Sequence, residues 1–154
     1  MTTRRMLLIA SVILLARCAA MPPVPPPPAT LDLLIKAGAD QNPDASGAPA
    51  PVVVRLYYLA ATGRFASADA YALMQRDRAT LGDDRVGSEE IVLRPGEAVT
   101  VTRDLKPGVQ FLGVAVLFRD IDRATWRAVA PVAGNGPTKL VLTLDGLKAA
   151  MGPP

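Results

Sequence analysis

The sequence predicts a mainly β protein, a two-sheet β-sandwich with one added helical segment, built from residues 30–152. Seven short runs are apolar or alternating and rich in β-branched residues, the signature of half-buried and buried strands. Turn residues stand between them at Pro95-Gly96, Pro107-Gly108 and Gly134 to Pro137, where Gly and Pro supply the backbone angles that reversals need. About seven strands at this spacing suit two packed sheets.

The first two runs are TLDLLIKA (30–37) and VVVRLYYLA (52–60), the second interrupted only by Arg55, whose default place is facing solvent. The next segment breaks the β pattern. In FASADAYALMQRDRATL (65–81), Phe65, Ala68, Ala72 and Met74 or Gln75 recur near helical spacing, with Ser67 available as a cap and Asp69 favourable in the first turn. This predicts a helix from Ala68 to Arg78 that covers a sheet face or closes one end. Strand patterns resume with EIVLR (90–94), EAVTVTR (97–103), QFLGVAVLFRD (110–120), TWRAVAPVA (125–133) and TKLVLTLD (138–145). A single Trp on such a strand, Trp126, reads as packing, and Arg127 as paired with an acidic neighbour or laid along the sheet.

Ahead of the sandwich lies an export signal. Arg4 and Arg5 precede eleven uncharged residues, Met6 to Ala16. That run is too short for a membrane helix, which needs about 20 apolar residues. Cys18, the only cysteine, directly follows it with the layout of a lipobox: residues 1–17 are removed and the thiol is acylated, with palmitate among the expected chains. Arg17 stands where the signal peptidase normally meets a small residue. The alternative is an ordinary signal peptide cut after Ala20, with Cys18 discarded and a soluble periplasmic product. Arg4-Arg5 also admits a twin-arginine reading, although two ordinary cations explain it. Residues 18–29 then form a linker with six prolines between Pro22 and Pro28. Successive prolines favour an extended helix rising about 3.1 Å per residue, a stiff spacer with no core of its own.

Export changes the charge balance. The chain has 17 basic and 14 acidic residues, but Arg4, Arg5 and Arg17 leave with the signal, so 14 face 14. The mature domain is neutral and offers no electrostatic case for nucleic acid. Without a second cysteine it has no disulfide, and its stability must come from a hydrophobic core.

Catalytic chemistry finds little material. No histidine is present, which removes the commonest general base and zinc ligand, and none of Ser11, Ser46, Ser67 and Ser88 lies in a G-x-S-x-G elbow. Asp83-Asp84 and Glu89-Glu90 read as solvated surface charge in turn-like sequence. Asp40, Asn42 and Asp44 match the first ligand positions of an EF-hand loop, but Ala45 replaces its glycine and Pro51 its final glutamate. Asx-type turns at Asn42, Asp44 and Ser46 explain this stretch instead. The expectation is no enzyme, no metal, no cofactor and no small-molecule substrate. The loop between the first two strands is nonetheless longer than the about 2 to 5 residues of a usual hairpin connection, and recognition of a protein partner is a reason for the extra length.

Six segments in order resemble one family: NPD at 42–44, PAPVVVRLYYL at 49–59, Phe65 to Leu73, LRPGE at 93–97 and LGVAVLFRDID leading to ATWR at Arg127, after a short first strand. They resemble the TssJ lipoproteins of type VI secretion. The resemblance implies a transthyretin-like, immunoglobulin-like β-sandwich with an added helix, anchored by lipid in the outer membrane and facing the periplasm. It further implies binding of the periplasmic domain of TssM within a TssJ-TssL-TssM complex. The family's contact loop corresponds to Gly38 through Pro51, so partner binding is expected at Gln41, Asn42, Pro43, Asp44, Ala45 and Ser46. Ala19 after the cysteine suits outer-membrane sorting, where Asp would retain the protein. The competing reading is a periplasmic carrier of a small apolar ligand or sugar. Sparse aromatics, three Phe, three Tyr and one Trp, disfavour a sugar platform.

Overall fold

β1 (Thr30–Ala37) shows how the sandwich is specified: Leu31, Leu33, Ile35 and Ala37 are buried, while Asp32, Leu34 and Lys36 point the other way. A strand alternates its side chains, so this spacing gives one dry face. The computed structural model describes residues 24–154; the signal segment 1–17, Cys18, Ala19, Pro22 and Pro23 lie outside the described residues. Two four-stranded sheets pack face to face. The first has the order β4 (Ala98–Asp104), β1, β7 (Pro137–Asp145), β8 (Lys148–Gly152). The second has the order β3 (Arg85–Leu93), β2 (Val52–Leu59), β5 (Phe111–Val116), β6 (Arg127–Pro131). All neighbours are antiparallel except β1 and β7, which run parallel from Thr30↔Pro137 to Ala37↔Leu144.

The second sheet is covered on its inner face and, over part of β2 and β5, on its outer face as well. Val52, Val54 and Leu56 of β2 and Leu112, Val114 and Val116 of β5 face the first sheet, against Leu31, Leu33, Ile35, Leu140, Leu142 and Leu144. Tyr57, Leu59 and Ala115 face outward into a smaller core with Phe65, Leu73 and Leu81. Burial on both sides is why β2 and β5 read as nearly continuous apolar runs instead of alternating ones. Gly113 marks the closest approach: a Cβ there would lie 2.8 Å from Leu59 Cδ1 and 3.0 Å from the Phe65 ring.

The helical segment departs from expectation. Two helices form, α1 (Gly63–Ser67) and α2 (Ala70–Leu81), followed by a 3-10 turn over Gly82–Asp84. The cap of α2 is Asp69, not Ser67: its extended backbone lets the carboxylate accept from Ala72 N–H at 2.7 Å. Ser67 instead donates back to the Gly63 and Arg64 carbonyls. An aspartate at the N-cap satisfies an otherwise orphaned helix N–H, so α2 starts at Ala70, two residues after the expected start, and runs to Leu81, three beyond the expected end. The segment covers the outer face of β2 and β5, one of the two expected placements.

Strand bounds differ in two places. β3 starts at Arg85, five residues before the apolar run begins, because it is an edge strand and its polar first half needs no burial. Glu89 and Glu90 therefore sit in a strand, on opposite faces, and not in a turn. β8 was not expected at all. Its sequence KAAMG lacks β-branched residues, yet Gly146, with φ 55°, turns the chain back so that Asp145 pairs with Lys148.

The sandwich has two poles. Gly136 N–H donates to the Pro27 carbonyl at 3.2 Å and Leu105 N–H to that of Ala29 at 2.9 Å, so the spacer is held by the domain from Pro27 onward. This corrects the expectation that the whole proline tract lacks packing partners; before that point Val24 is 86% exposed. From the spacer pole, β1 carries the chain about 26 Å at the usual strand rise to the opposite pole, where loop 38–51 begins.

Candidate functional site

Loop 38–51 leaves β1 through Gly38, where a Cβ would stand 2.7 Å from the Leu144 carbonyl, closer than any larger residue tolerates. Its N–H donates to that carbonyl at 2.6 Å, and its own carbonyl accepts from Gly96 N–H. The next two polar residues turn inward. Gln41 is fully buried and donates from Nε2 to the Leu93 carbonyl at 3.0 Å; its Oε1 has no partner among the described residues. Asn42 adopts φ 49°, a left-handed conformation that asparagine tolerates better than most residues. Its side chain donates to the Pro51 carbonyl at 2.7 Å and accepts from Arg119 N–H at 2.8 Å, while its own N–H reaches the Gly146 carbonyl at 2.8 Å. One residue thus joins loop 38–51, the segment after β5 and the β7–β8 turn.

Beyond this footing the loop is presented to solvent. Asp44 Oδ1 accepts from Ser46 N–H, Ser46 Oγ and Ala48 N–H at 2.8, 2.6 and 3.0 Å. These bonds, led by the Ser46 hydroxyl, hold the Asp44 carboxyl below its ordinary value and rigidify the tip. Pro43 and Asp44 are half-buried, and Ala45 and Ser46 are exposed. The six residues expected to bind a partner therefore divide into two buried struts, Gln41 and Asn42, and four presented residues, Pro43 to Ser46. The polar groups of Asn42 are used by the chain itself. Asp44 and Ser46 do form the expected Asx turn.

Elsewhere, a groove of about 270 Å³ opens between edge strands β3 and β4, lined by Tyr58, Glu89, Arg103, Lys106 and Val109 among others. Burial raises the Glu89 carboxyl, but hydrogen bonds from Arg103, at 2.8 Å, and Tyr58 outweigh it and the net shift is downward. The opposite side of the sandwich is closed by Thr125, which exchanges backbone hydrogen bonds with Leu147 and Ala149. Concave space thus lies at this charged edge and in an open depression of about 480 Å³ beside Asp69, Trp126 and Arg127, and the apolar interior between the sheets is occupied by side chains.

Two arginines, Arg127 and Arg55, differ in role from first appearance. Arg127 has no acidic partner among the described residues; it donates to the Phe65 and Ala68 carbonyls at 2.7 and 2.9 Å and stacks 4.5 Å over Trp126. It ties β6 to the end of α1, where helix carbonyls favour a cation. Arg55 is only partly solvent-facing: it bonds the Met74 carbonyl at 2.8 Å and Glu90 at 2.9 Å, pinning α2 to the sheet. Trp126 packs against both cores, as expected. Arg119, which completes the Asn42 ring, carried no local signal because the two residues are far apart in the chain.

With this geometry in view, the chain matches over residues 29–147 the family described as Type VI secretion lipoprotein, VasD, EvfM, TssJ. Among solved structures it is similar to the T6SS lipoprotein TssJ1 from Pseudomonas aeruginosa. That match has 37% identity and a TM-score of 0.79, covering 82% of this chain and 96% of the other. It is also similar to a chain of a structure described as a Type VI membrane complex, at 34% identity and TM-score 0.73, covering 81% and 98%. A third similarity is to a chain of the structure described as T6SS protein TssM C-terminal domain (869-1107) from EAEC. There the identity is 30% and the TM-score 0.65, covering 82% and 99%. No curated protein matches the chain.

Proposed function

The chain belongs to the type VI secretion lipoprotein family of TssJ and VasD, and from that premise we propose that it is the outer-membrane lipoprotein subunit of a type VI membrane complex. Residues 1–17 are removed, Cys18 is acylated, and residues 18–29 lead from the inner leaflet to a sandwich facing the periplasm. The loop pole binds the periplasmic domain of TssM within a TssJ-TssL-TssM complex and so tethers that complex to the outer membrane. The family is one of secretion lipoproteins and not of enzymes, so the work is binding. One observation carries this reading: spacer and loop leave opposite poles of a rigid sandwich, and the loop tip Pro43 to Ser46 stands on a buried Gln41–Asn42 footing. A domain so built presents its recognition loop away from its anchor. The similarity to chains in the membrane-complex and TssM structures supports the choice of partner.

Two measurements test it. Replacing Pro43 to Ser46 by Gly-Ser of equal length, with Gln41 and Asn42 kept, is expected to leave the melting temperature within a few degrees and to abolish pull-down of the TssM periplasmic domain. Retained wild-type affinity would place recognition elsewhere. Cys18→Ser is expected to move the protein from the outer-membrane fraction to the soluble periplasm with its fold intact. A wild-type mature N-terminus at Met21 by mass spectrometry would rule the anchor out.

A further inference from the structure

The helices α1 and α2 cover only part of the outer face of the second sheet, and the part they leave bare adjoins loop 38–51. On that bare face Val53 of β2 pairs with Val92 of β3, and Leu117 N–H donates to the Val53 carbonyl from the other side at 2.9 Å. The three side chains form a row across the sheet; Val92 is 60% exposed, and Val53 and Leu117 are half-buried. An exposed apolar row of this kind on a sheet face marks an interaction surface more often than isolated surface valines do.

Two arginines border the row on the loop side. Arg94 directly follows Leu93, which pairs with Val52, and the Arg119 N–H is joined to the Pro51 carbonyl through the Asn42 side chain, so both residues stand at the loop end of this face. Both are exposed, and among the described residues neither guanidinium makes a hydrogen bond or an ion pair. The other border is the closed Arg55–Glu90 pair beneath Met74. The bare face thus offers an apolar centre and, next to the presented loop, two guanidinium groups outside any ion pair among the described residues, with the Asp44 carboxylate near enough to Arg119 to feel its charge.

We infer that this face, with Val53, Val92 and Leu117 at its centre and Arg94 and Arg119 at its rim, is a second contact surface for the same protein partner that the loop engages. It takes a segment that is apolar in the middle and carries carboxylates beside it. The inference rests on the proposed function for the partner's identity, but the chemistry of the segment comes from the face itself. An anionic lipid surface is the less suitable occupant, because the spacer leaves from the opposite pole. Guanidinium groups at the rim of an apolar contact favour carboxylates bidentately and raise the association rate.

The test uses the purified mature chain and the TssM periplasmic domain, with affinity read by calorimetry. Val92→Lys, and separately Arg94→Glu with Arg119→Glu, are expected to weaken binding at least tenfold while the melting temperature stays within a few degrees. Wild-type affinity should fall with added salt, and that of the double variant should not. If the Pro43 to Ser46 replacement abolishes binding and the face variants bind as wild type, the face is overturned and the loop reading stands. If the face variants weaken binding and the loop replacement does not, the face stands and the loop reading fails. Wild-type partner affinity in the double variant, together with lost binding to phosphatidylglycerol vesicles or lost self-association in sedimentation, would also overturn the inference.

Discussion

Asn42→Ala is expected to cost about 3 kcal/mol of folding stability, read as a lower urea midpoint at unchanged slope, through two separable causes. Deleting the side chain removes its part-buried hydrogen bonds to the Pro51 carbonyl and the Arg119 N–H, each contributing about 1 kcal/mol. Alanine also pays about 1–2 kcal/mol at a left-handed φ that asparagine accepts more readily. Asn42→Gly separates the two, since it relieves the backbone and still loses both hydrogen bonds; it should fall between Asn42→Ala and wild type. Because Asn42 joins three segments of the loop pole, its loss should also loosen the tip. Faster amide exchange is expected from Pro43 to Ala48 and at Arg119, with exchange at the spacer pole unaltered. Equal stability of Asn42→Ala and wild type would show that the footing is not a support.

Phe65→Ala is expected to have the larger effect, about 3–5 kcal/mol, because a fully buried aromatic is exchanged for a cavity. Its ring lies 5.4 Å from that of Tyr57, tilted 54°, and directly over Gly113. α1 has only five residues and no side-chain cap, so it is held by this ring, by the Arg127 bonds to the Phe65 and Ala68 carbonyls and by the Arg64 bond to the Leu81 carbonyl at 3.1 Å. Helical propensity alone does not sustain so short a helix. The neighbour supplies a check on mechanism. Gly113→Ala should destabilise the wild type, where the new methyl meets Leu59 and Phe65, but cost less in Phe65→Ala, where the cavity receives it. Thermal melts of the four-protein cycle measure that coupling, and strict additivity would mean that Phe65 and Gly113 are not packed as described.

Much of the fold is written locally. β1 is bounded in the structure as its alternation implies, and β2, β5 and β7 follow from their apolar runs, since side chains that need burial can find it only in strands of that register. Asp69 was visible as a residue favourable at a helix start, but its role as cap over Ser67 depended on which backbone turned extended. The polar half of β3 and the alanine-rich β8 were not legible, because edge strands are held by hydrogen bonds to a neighbour and not by burial of their own side chains. Gly146 in Asp145-Gly146 was the one local hint of β8.

The candidate site divides along the same line. Its place in the chain and its Asx turn were readable, because loop length and the spacing of Asp44 and Ser46 are local properties. The sequence by itself determined a β-sandwich without histidine or disulfide and the resemblance that its ordered segments carry, and it raised the expectation of an export signal and a proline spacer ahead of the domain. Only the tertiary structure decided that Gln41 and Asn42 face inward, that Arg127 serves helix carbonyls, and that Val53, Val92 and Leu117 meet beside Arg94 and Arg119. Each of those facts depends on residues far apart in the chain being brought to one place by strand register, and a polar residue's direction is set by whichever backbone group arrives there to receive it.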